Sequence, residues 1–533
     1  MTSETYIADH TMSLTLPRNY LLAIYLLLGV AALLPLTMVD IPALVDYPNH
    51  LARMHVIAQN GTNQLLASNY QVAWSATPNL AMDLILPPLT QIFSVTTLGR
   101  LFIALTMISL VTGTLVLHRT LHGSIGLWPM ATYLFLYNHL LIMGFLNYLF
   151  SIGVALMLFA AWIASDRWAA WIRWTLFPLA LAALFFSHIF ALGIYGVCVS
   201  TYEIARAWPS LRTEWRSLPR RWAVVAWQFL PAAGLVLATM PDSGSGGFIY
   251  GPLMSKVRAI WSPTLTYITP TDAGIFLFVV AILVGGLATR RLVLCHAVRF
   301  PLVVLTVLAA AMPFWTEGAW GITAFMDLRL PLFIALLLMA GLRPHNISAR
   351  VAISVICAAA VLMSARLIDT SLEWRKIDGQ YAEFRDALQF IEPGASILPA
   401  QTQDSPRREG ETRFDYLYWH LPVLAVLDRS AFVPTMFTDP AKQPVRAAPA
   451  RVAMDTDFGA PIKIDLLVDS ARGGNMVAGG LGMKPFWRDW PRRYDYVVIT
   501  HFGTPENPLP DLLTLEHEGS YFSIYRVLNK DGS

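Results

Sequence analysis

The sequence predicts a polytopic α-helical membrane protein of about eleven spans, closed by a small α/β domain at its C-terminal end. Three observations lead there. Of the 533 residues, 55% are hydrophobic and only 14% charged, with a mean hydropathy of +0.51, too apolar for a soluble core inside a polar shell. Apolar runs of spanning length recur through the first two thirds of the chain. From about residue 366 onward the composition turns ordinary and soluble.

The runs fall at 20–39, 101–117, 127–141, 144–164, 176–187, 188–205, 222–240, 274–288, 300–314, 328–342 and 351–363. Several are shorter than the about 20 residues that an upright helix needs, so the order of the loops is firmer than the number of spans. Arg18 precedes the first run and no small-residue cleavage site follows it, so the run reads as a retained helix and not a signal peptide.

Basic residues assign the sides. His118 and Arg119, Arg167 and Arg173, then Arg206, Arg212, Arg216, Arg220 and Arg221, then Arg290, Arg291 and Arg299, and finally Arg343 and Arg350 occupy alternate loops. Cytoplasmic connections are enriched in such residues, which puts these loops and the N-terminus inside. Facing outward are then 40–97, the tips near Met143 and Ser187, 241–271, 315–327, and everything after about 366. This alternation requires 79–93, broken by Pro87 and Pro88 and carrying Asp83, to lie along the membrane surface without crossing. The net charge of +3 therefore reports topology, and no nucleic-acid partner is implied.

Two domains follow: a membrane module over 1–366, including the first outer loop 40–97, and an extracytoplasmic α/β domain over 367–533. In the tail, Leu372, Tyr381, Phe384 and Leu388 recur at roughly helical spacing until Pro393 and Gly394 end the pattern. Residues 396–398, 496–500 and 521–527 read as strands, 416–427 as helical pieces, and 441–460 as a Pro- and Ala-rich loop. Cys198, Cys295 and Cys357 all lie in or beside apolar runs, which supports neither a disulfide framework nor a zinc site.

The chemistry concentrates just after the first run, in Asp40-Ile-Pro-Ala-Leu-Val-Asp46-Tyr-Pro-Asn-His50-Leu-Ala-Arg53. Ionisable groups at a membrane surface are costly to desolvate, which makes such a cluster a functional candidate by default. If 47–58 is helical, Asp46, His50 and Arg53 share a face, with Asn49 beside them. Asp46 also suits a helix N-cap, and Asp40 an interfacial anchor. Asn138, His139, Asn147 and Tyr148 flank the next outer tip, either as interhelical hydrogen-bond partners or as the wall of a polar groove. His188, at the tip after that, reads either as a further part of that groove or, as a lone histidine, as structural. Lys256, Arg258 and Arg329 are cations on the side that usually lacks them, which a phosphate partner explains; pairing of Arg329 with Asp327 or Glu317 is the alternative.

At these residues the pattern resembles the GT-C superfamily of polyprenyl-phosphate-sugar-dependent membrane glycosyltransferases. In that superfamily an acidic residue of the first outer loop is the catalytic base, interfacial helices follow it, and a soluble domain often closes the chain. Asp46-Tyr-Pro-Asn-His50 looks like the Asp-x-x-x-His form of that loop motif. Many members carry an Asp-Glu pair there, whereas Asp46 is followed by Tyr47, so Asp46 and Asp40 both stand as candidate bases. The resemblance implies an inverting transfer of sugar from a polyprenyl-phosphate donor to a glycan, lipid or protein hydroxyl at the outer face of the cytoplasmic membrane, in contact with membrane lipid. It requires no cofactor, although a divalent cation is compatible with it.

The residues fit that chemistry on their own terms, since such a transfer needs a carboxylate to take the acceptor proton and cations to stabilise the departing phosphate. The rival classes are a lipid-linked-sugar transporter or flippase and a polysaccharide polymerase. Transporters keep ionisable residues near the bilayer midplane on broken helices of repeated halves, and neither feature is visible here. The large tail and the first-loop carboxylate argue against a polymerase.

Overall fold

Among the described residues of the computed structural model, eight helices are long and apolar enough to cross a membrane, and a small sheet lies near the C-terminal end. The structure describes residues 17–210, 218–239, 247–267, 269–318, 321–402, 415–456, 459–474, 485–501, 503 and 506–528. Arg212, Arg216 and the stretch 241–246 of the expected outer loop lie outside the described residues.

In chain order the helices are α1 (Arg18–Thr37), α2 (Tyr47–Ala58), α3 (Gln64–Asn69), α4 (Ala81–Ile85), α5 (Val95–His122), α6 (His139–Ile142), α7 (Leu146–Ala164), α8 (Ala170–Ser187), α9 (Ile189–Ala207) and α10 (Leu218–Thr239). They continue as α11 (Leu253–Trp261), α12 (Pro270–Ala288), α13 (His296–Ala311), α14 (Arg329–Gly341) and α15 (Ala349–Ala387). The eight long apolar helices are α1, α5, α7, α8, α9, α10, α12 and α15, while α13 and α14 are apolar but shorter. The expected surface segment 79–93 contains only α4 and the 3₁₀ turn Pro87–Gln91, because Pro87 and Pro88 prevent a longer helix.

Two expected spans take other forms. The run 127–141 is no helix but a 3₁₀ stretch, Trp128–Phe135, followed by the single turn α6. It lies along α1: the Tyr25 hydroxyl donates to the Gly126 carbonyl at 3.2 Å, Tyr133 to the Tyr25 carbonyl at 2.6 Å, and Tyr137 to the Ala32 carbonyl at 2.7 Å. Beyond the end of α1, Val45 N–H donates to the Ile142 carbonyl at 2.8 Å. Irregular backbone is tolerated among apolar helices only where protein shields it, and Thr132 to Asn138 are buried without a break. The run 351–363 is only the first part of α15, which continues across the expected boundary at 366 and buries Trp374, Tyr381 and Phe384 on its extension.

The loops sort into two sets by what they touch. In one set Asp46 N–H meets the Met143 carbonyl, Leu80 N–H the Phe186 carbonyl, His139 N–H the Ser262 carbonyl, and strand Phe248–Ile249 pairs with Trp315–Gly318. In the other, His118 Nδ1 lies 2.9 Å from the Ala340 carbonyl and strand Leu292–Leu294 pairs with Leu342–Pro344. Each contact joins loops that the alternation of charge puts on one face.

The tail forms a five-stranded sheet in the order Leu513–Glu518, Phe522–Val527, Tyr496–Thr500, Ile397–Gln401, Ile462–Lys463. The strands at the chain positions 396–398, 496–500 and 521–527 are as expected. The edge strand Leu513–Glu518, largely polar, was not. The stretch 441–460 is less of a loop than its composition suggests. Val445–Ala447 pairs antiparallel with Tyr70–Val72 of the first loop, and Pro449–Met454 is a 3₁₀ helix. The Asn69 amide donates to the Ser430 carbonyl at 2.9 Å and the Tyr70 hydroxyl accepts from Val433 N–H at 2.8 Å, so first loop and tail interlock through backbone groups.

Helices α5 and α7 approach closely because Gly113 and Gly153 face each other. A Cβ on Gly113 would overlap the Gly153 carbonyl, and one on Gly153 the backbone of Ser109. Gly153→Leu is therefore expected to abolish accumulation of folded protein in membranes. Gly193→Ala, where a Cβ meets nothing within 4 Å, is expected to leave it intact. Size-exclusion profiles of the detergent-extracted variants check the pair, and a monodisperse Gly153→Leu at wild-type yield would refute the packing.

Candidate functional site

Asp46 ends the buried segment 41–45 and stands at the N-cap of α2, yet its side chain makes no capping hydrogen bond. The carboxylate points instead into a junction between the first loop, the tip at 143–145 and the tail. Gly144 makes this approach possible: its φ is +83°, and a Cβ there would lie 2.8 Å from Asp46 N and 2.9 Å from Asp46 Cβ. Asp46 Oδ1 lies 3.6 Å from His420 Nε2 of the tail, with 19% of its side chain exposed. Its charge also acts on the guanidinium of Arg329.

His50, one turn on, is locked neutral. Its Nε2 lies 3.1 Å from the Gly144 carbonyl, which accepts only, so Nε2 carries the proton; Nδ1 then accepts from Arg53 Nη2 at 3.1 Å. Burial, and after it the Arg53 charge, push the imidazole down to about 3. Arg53 in turn forks onto Asp83 at 2.6 and 2.9 Å, with both side chains almost fully buried. Asp46, His50 and Arg53 thus occupy one face as expected, but of the three only Asp46 is partly exposed. Asn49 faces the tail, accepting from Phe437 N–H at 2.8 Å and donating to the Thr435 carbonyl at 3.4 Å.

Asp40 stands apart from this junction. Half exposed, it pairs with Arg385 at 3.2 Å and Arg100 at 3.8 Å, and its backbone N–H donates to Asp378, which ties the end of α1 to α5 and α15.

The tip residues divide by role. Asn138 caps α6 by accepting from Leu141 N–H at 3.1 Å, and Asn147 bridges the Asn79 carbonyl at 2.7 Å and Met82 N–H at 2.9 Å. The backbone N–H of His139 holds the Ser262 carbonyl at 3.1 Å. The Tyr148 hydroxyl donates to the Arg329 carbonyl at 2.7 Å and so fixes the start of α14.

Arg329 itself is 8% exposed and boxed by aromatic rings, its guanidinium 4.8 Å from the centre of Phe145, 5.5 Å from Tyr148 and 5.6 Å from Phe190. Among the described residues no carboxylate comes within ion-pair distance of it. Asp327 is engaged by Lys256 at 3.6 Å, and the side chain of Glu317 lies outside the described residues. Its polar neighbours are the Ala324 carbonyl, which accepts from Nη2 at 3.4 Å, and His188, whose Nε2 lies 3.3 Å from Nη1. The Nδ1 of His188 accepts from Phe190 N–H at 3.1 Å to cap α9, so a neutral His188 carries its proton on Nε2. Burial and the guanidinium hold it neutral, well below its ordinary range. Two donors therefore face each other, and Arg329 Nε, also buried, has no partner. Surplus donors at the starts of two helices, α9 and α14, make this spot electropositive and suited to an anion.

Lys256 also donates to the Met312 carbonyl, and Arg258 is exposed on α11, so neither faces the box. Among the described residues no group of three or more His, Cys, Asp or Glu converges as a metal site would. Sequence reading missed Gly144, Phe145, Phe190 and His420, and left His188 between the groove and a structural role. The first three adjoin residues it did single out; His420 lies within 416–427, read there only as helical pieces, with no chemical motif around it. Comparison with protein-family models, with curated proteins and with solved structures finds no match for this chain.

Because His50 resists protonation in the fold but not when unfolded, its contribution to stability is complete above pH about 6.5 and is lost as pH falls toward about 3. The unfolding temperature of detergent-extracted protein is expected to drop between pH 7 and 5. His50→Gln should be less stable at pH 7 and flatter across that range. Equal slopes in both proteins would show that His50 charges as easily folded as unfolded.

Proposed function

We propose that the chain is an inverting, GT-C-like membrane glycosyltransferase that moves a sugar from a polyprenyl-phosphate donor to an acceptor hydroxyl of a glycan, lipid or protein at the outer face of the cytoplasmic membrane. The observation that supports it most is the nearness of an uncapped carboxylate, Asp46, to the electropositive box of Arg329 and His188. Transfer from a phosphate ester needs such a pair: a base for the incoming hydroxyl and a cradle for the leaving anion.

In this reading Asp46 takes the proton of the acceptor hydroxyl as its oxygen bonds to the anomeric carbon. The bond from that carbon to the phosphate oxygen breaks on the opposite face, so the configuration inverts. The phosphate leaves with the electron pair into the donors of Arg329 and His188, and the polyprenyl chain lies between apolar helices. Asp40, compensated by two arginines, anchors the loop. Lys256, compensated by Asp327, serves at most to dock the donor. Ten apolar helices and the segment 126–143 make eleven crossings, and the basic loops put Asp46 and the tail of 367–533 outside.

With the full chain in nanodiscs and a panel of polyprenyl-phosphate hexoses and pentoses, Asp46→Asn is expected to lower release of polyprenyl phosphate by about a hundredfold or more. Arg329→Gln should lower kcat, and Lys256→Gln should chiefly raise the apparent KM. Wild-type protein that moves intact lipid-linked sugar across the bilayer but releases no polyprenyl phosphate would be a flippase, and the reading would fall.

For sidedness, single cysteines in place of Gln64 and Glu392, introduced after replacement of the three native cysteines, should react with an impermeant thiol reagent on intact spheroplasts. One in place of Asn346 should react only after lysis. The reverse pattern would put Asp46 in the cytoplasm and remove the lipid-linked donor from reach.

A further inference from the structure

Among the described residues of the tail, His420 is the group that meets Asp46 directly, and its surroundings constrain what it does there. The ring is buried, packed edge-on to Phe437 with centroids 5.1 Å apart, and Gly459 lies so close that a Cβ there would sit 2.8 Å from His420 Cε1. Nδ1 is buried with no hydrogen-bond partner among the described residues. A proton on Nδ1 would be a buried donor left unmade, so the neutral ring places it on Nε2, aimed at Asp46 Oδ1 3.6 Å away. His50, which is neutral, also lies in electrostatic reach. The Asp46 carboxylate therefore meets one fixed N–H donor from the tail on one oxygen, while the other oxygen stays available.

We propose that His420 is a positioning residue for Asp46: its Nε2–H tightens onto Oδ1 when substrate fills the site and turns Oδ2 toward the acceptor hydroxyl. This rests on the glycosyltransferase reading above. The acceptor proton stays on Asp46 until product leaves. The soluble domain thereby completes the catalytic geometry, and an undocked tail leaves the base unaligned.

The test uses the full chain in nanodiscs, with the same donor panel and release of polyprenyl phosphate as readout. His420→Ala is expected to lower kcat by about ten- to a hundredfold with donor KM little changed. His420→Gln, whose amide N–H reaches the same place, should recover most of that loss, and added imidazole should restore part of it to His420→Ala. Gly459→Ala, which displaces the ring while keeping it, should move kcat the same way. Wild-type turnover in His420→Ala overturns the proposal, as does a loss that neither Gln nor imidazole repairs and that follows a fall in unfolding temperature. Asp46→Asn in the same assay separates the two readings. Activity there removes Asp46 as the base and this proposal with it, whereas a dead Asp46→Asn beside a fully active His420→Ala removes only the role of His420.

Discussion

The buried fork of Arg53 onto Asp83 is the interaction on which the arrangement of the first loop depends. It closes the loop on itself across 30 residues, and through His50 it reaches the Gly144 carbonyl and thus the tip that abuts Asp46. Two charges removed from water are stable only together; stripping one from such a pair costs about 3 to 5 kcal/mol because the other is left uncompensated. The fork holds α2 against α4, and this fixes where Asp46 stands at the other end of α2. An apolar replacement of comparable volume would pack as well, but it would offer His50 no donor and would leave its Nδ1 a buried acceptor without a partner, while the Gly144 carbonyl keeps the proton on Nε2.

Much of this was legible in sequence because membrane burial imposes simple rules. Length and apolarity marked the helices, and arginines sorted the loops, since both respond to the bilayer and not to neighbours. The helix over 47–58 also followed from local pattern, and α2 has those bounds. The run 127–141 misled because it has the composition of a span; its backbone is satisfied by tyrosine hydroxyls and neighbouring carbonyls instead of its own turns, which no periodicity announces. The strand at Val445–Ala447 was hidden for a related reason: three residues pair with a partner some 375 positions earlier in the chain, and short strands defined by such pairing leave no local trace.

The site was half legible. Asp46 and Arg329 stood out because their charges are out of place for their surroundings. Asp40, Arg53 and Lys256 stood out for the same reason, yet each has an opposite charge beside it, and nothing in the sequence tells a compensated ion from an uncompensated one. His188 shows the converse. Its position at the head of α9 reads as a cap, and it is a cap, but using Nδ1 for that task turns its other nitrogen into a donor toward Arg329. The chemistry of one nitrogen follows from the hydrogen bond made by the other, a property of the folded ring alone.

Helix α15 runs without interruption from the apolar bundle to the C-terminal sheet region. At about 1.5 Å per residue its 39 residues form a rod of nearly 60 Å, stiff over that whole length. A rod that is lipid-bathed at one end and carries Tyr381 and Phe384 in the protein interior at the other converts a change of tilt into a displacement of what it carries. A thicker or thinner bilayer, by setting the tilt of α15, would move the tail against the first loop, so the physical state of the lipid reaches the polar junction mechanically, without any ligand to announce it.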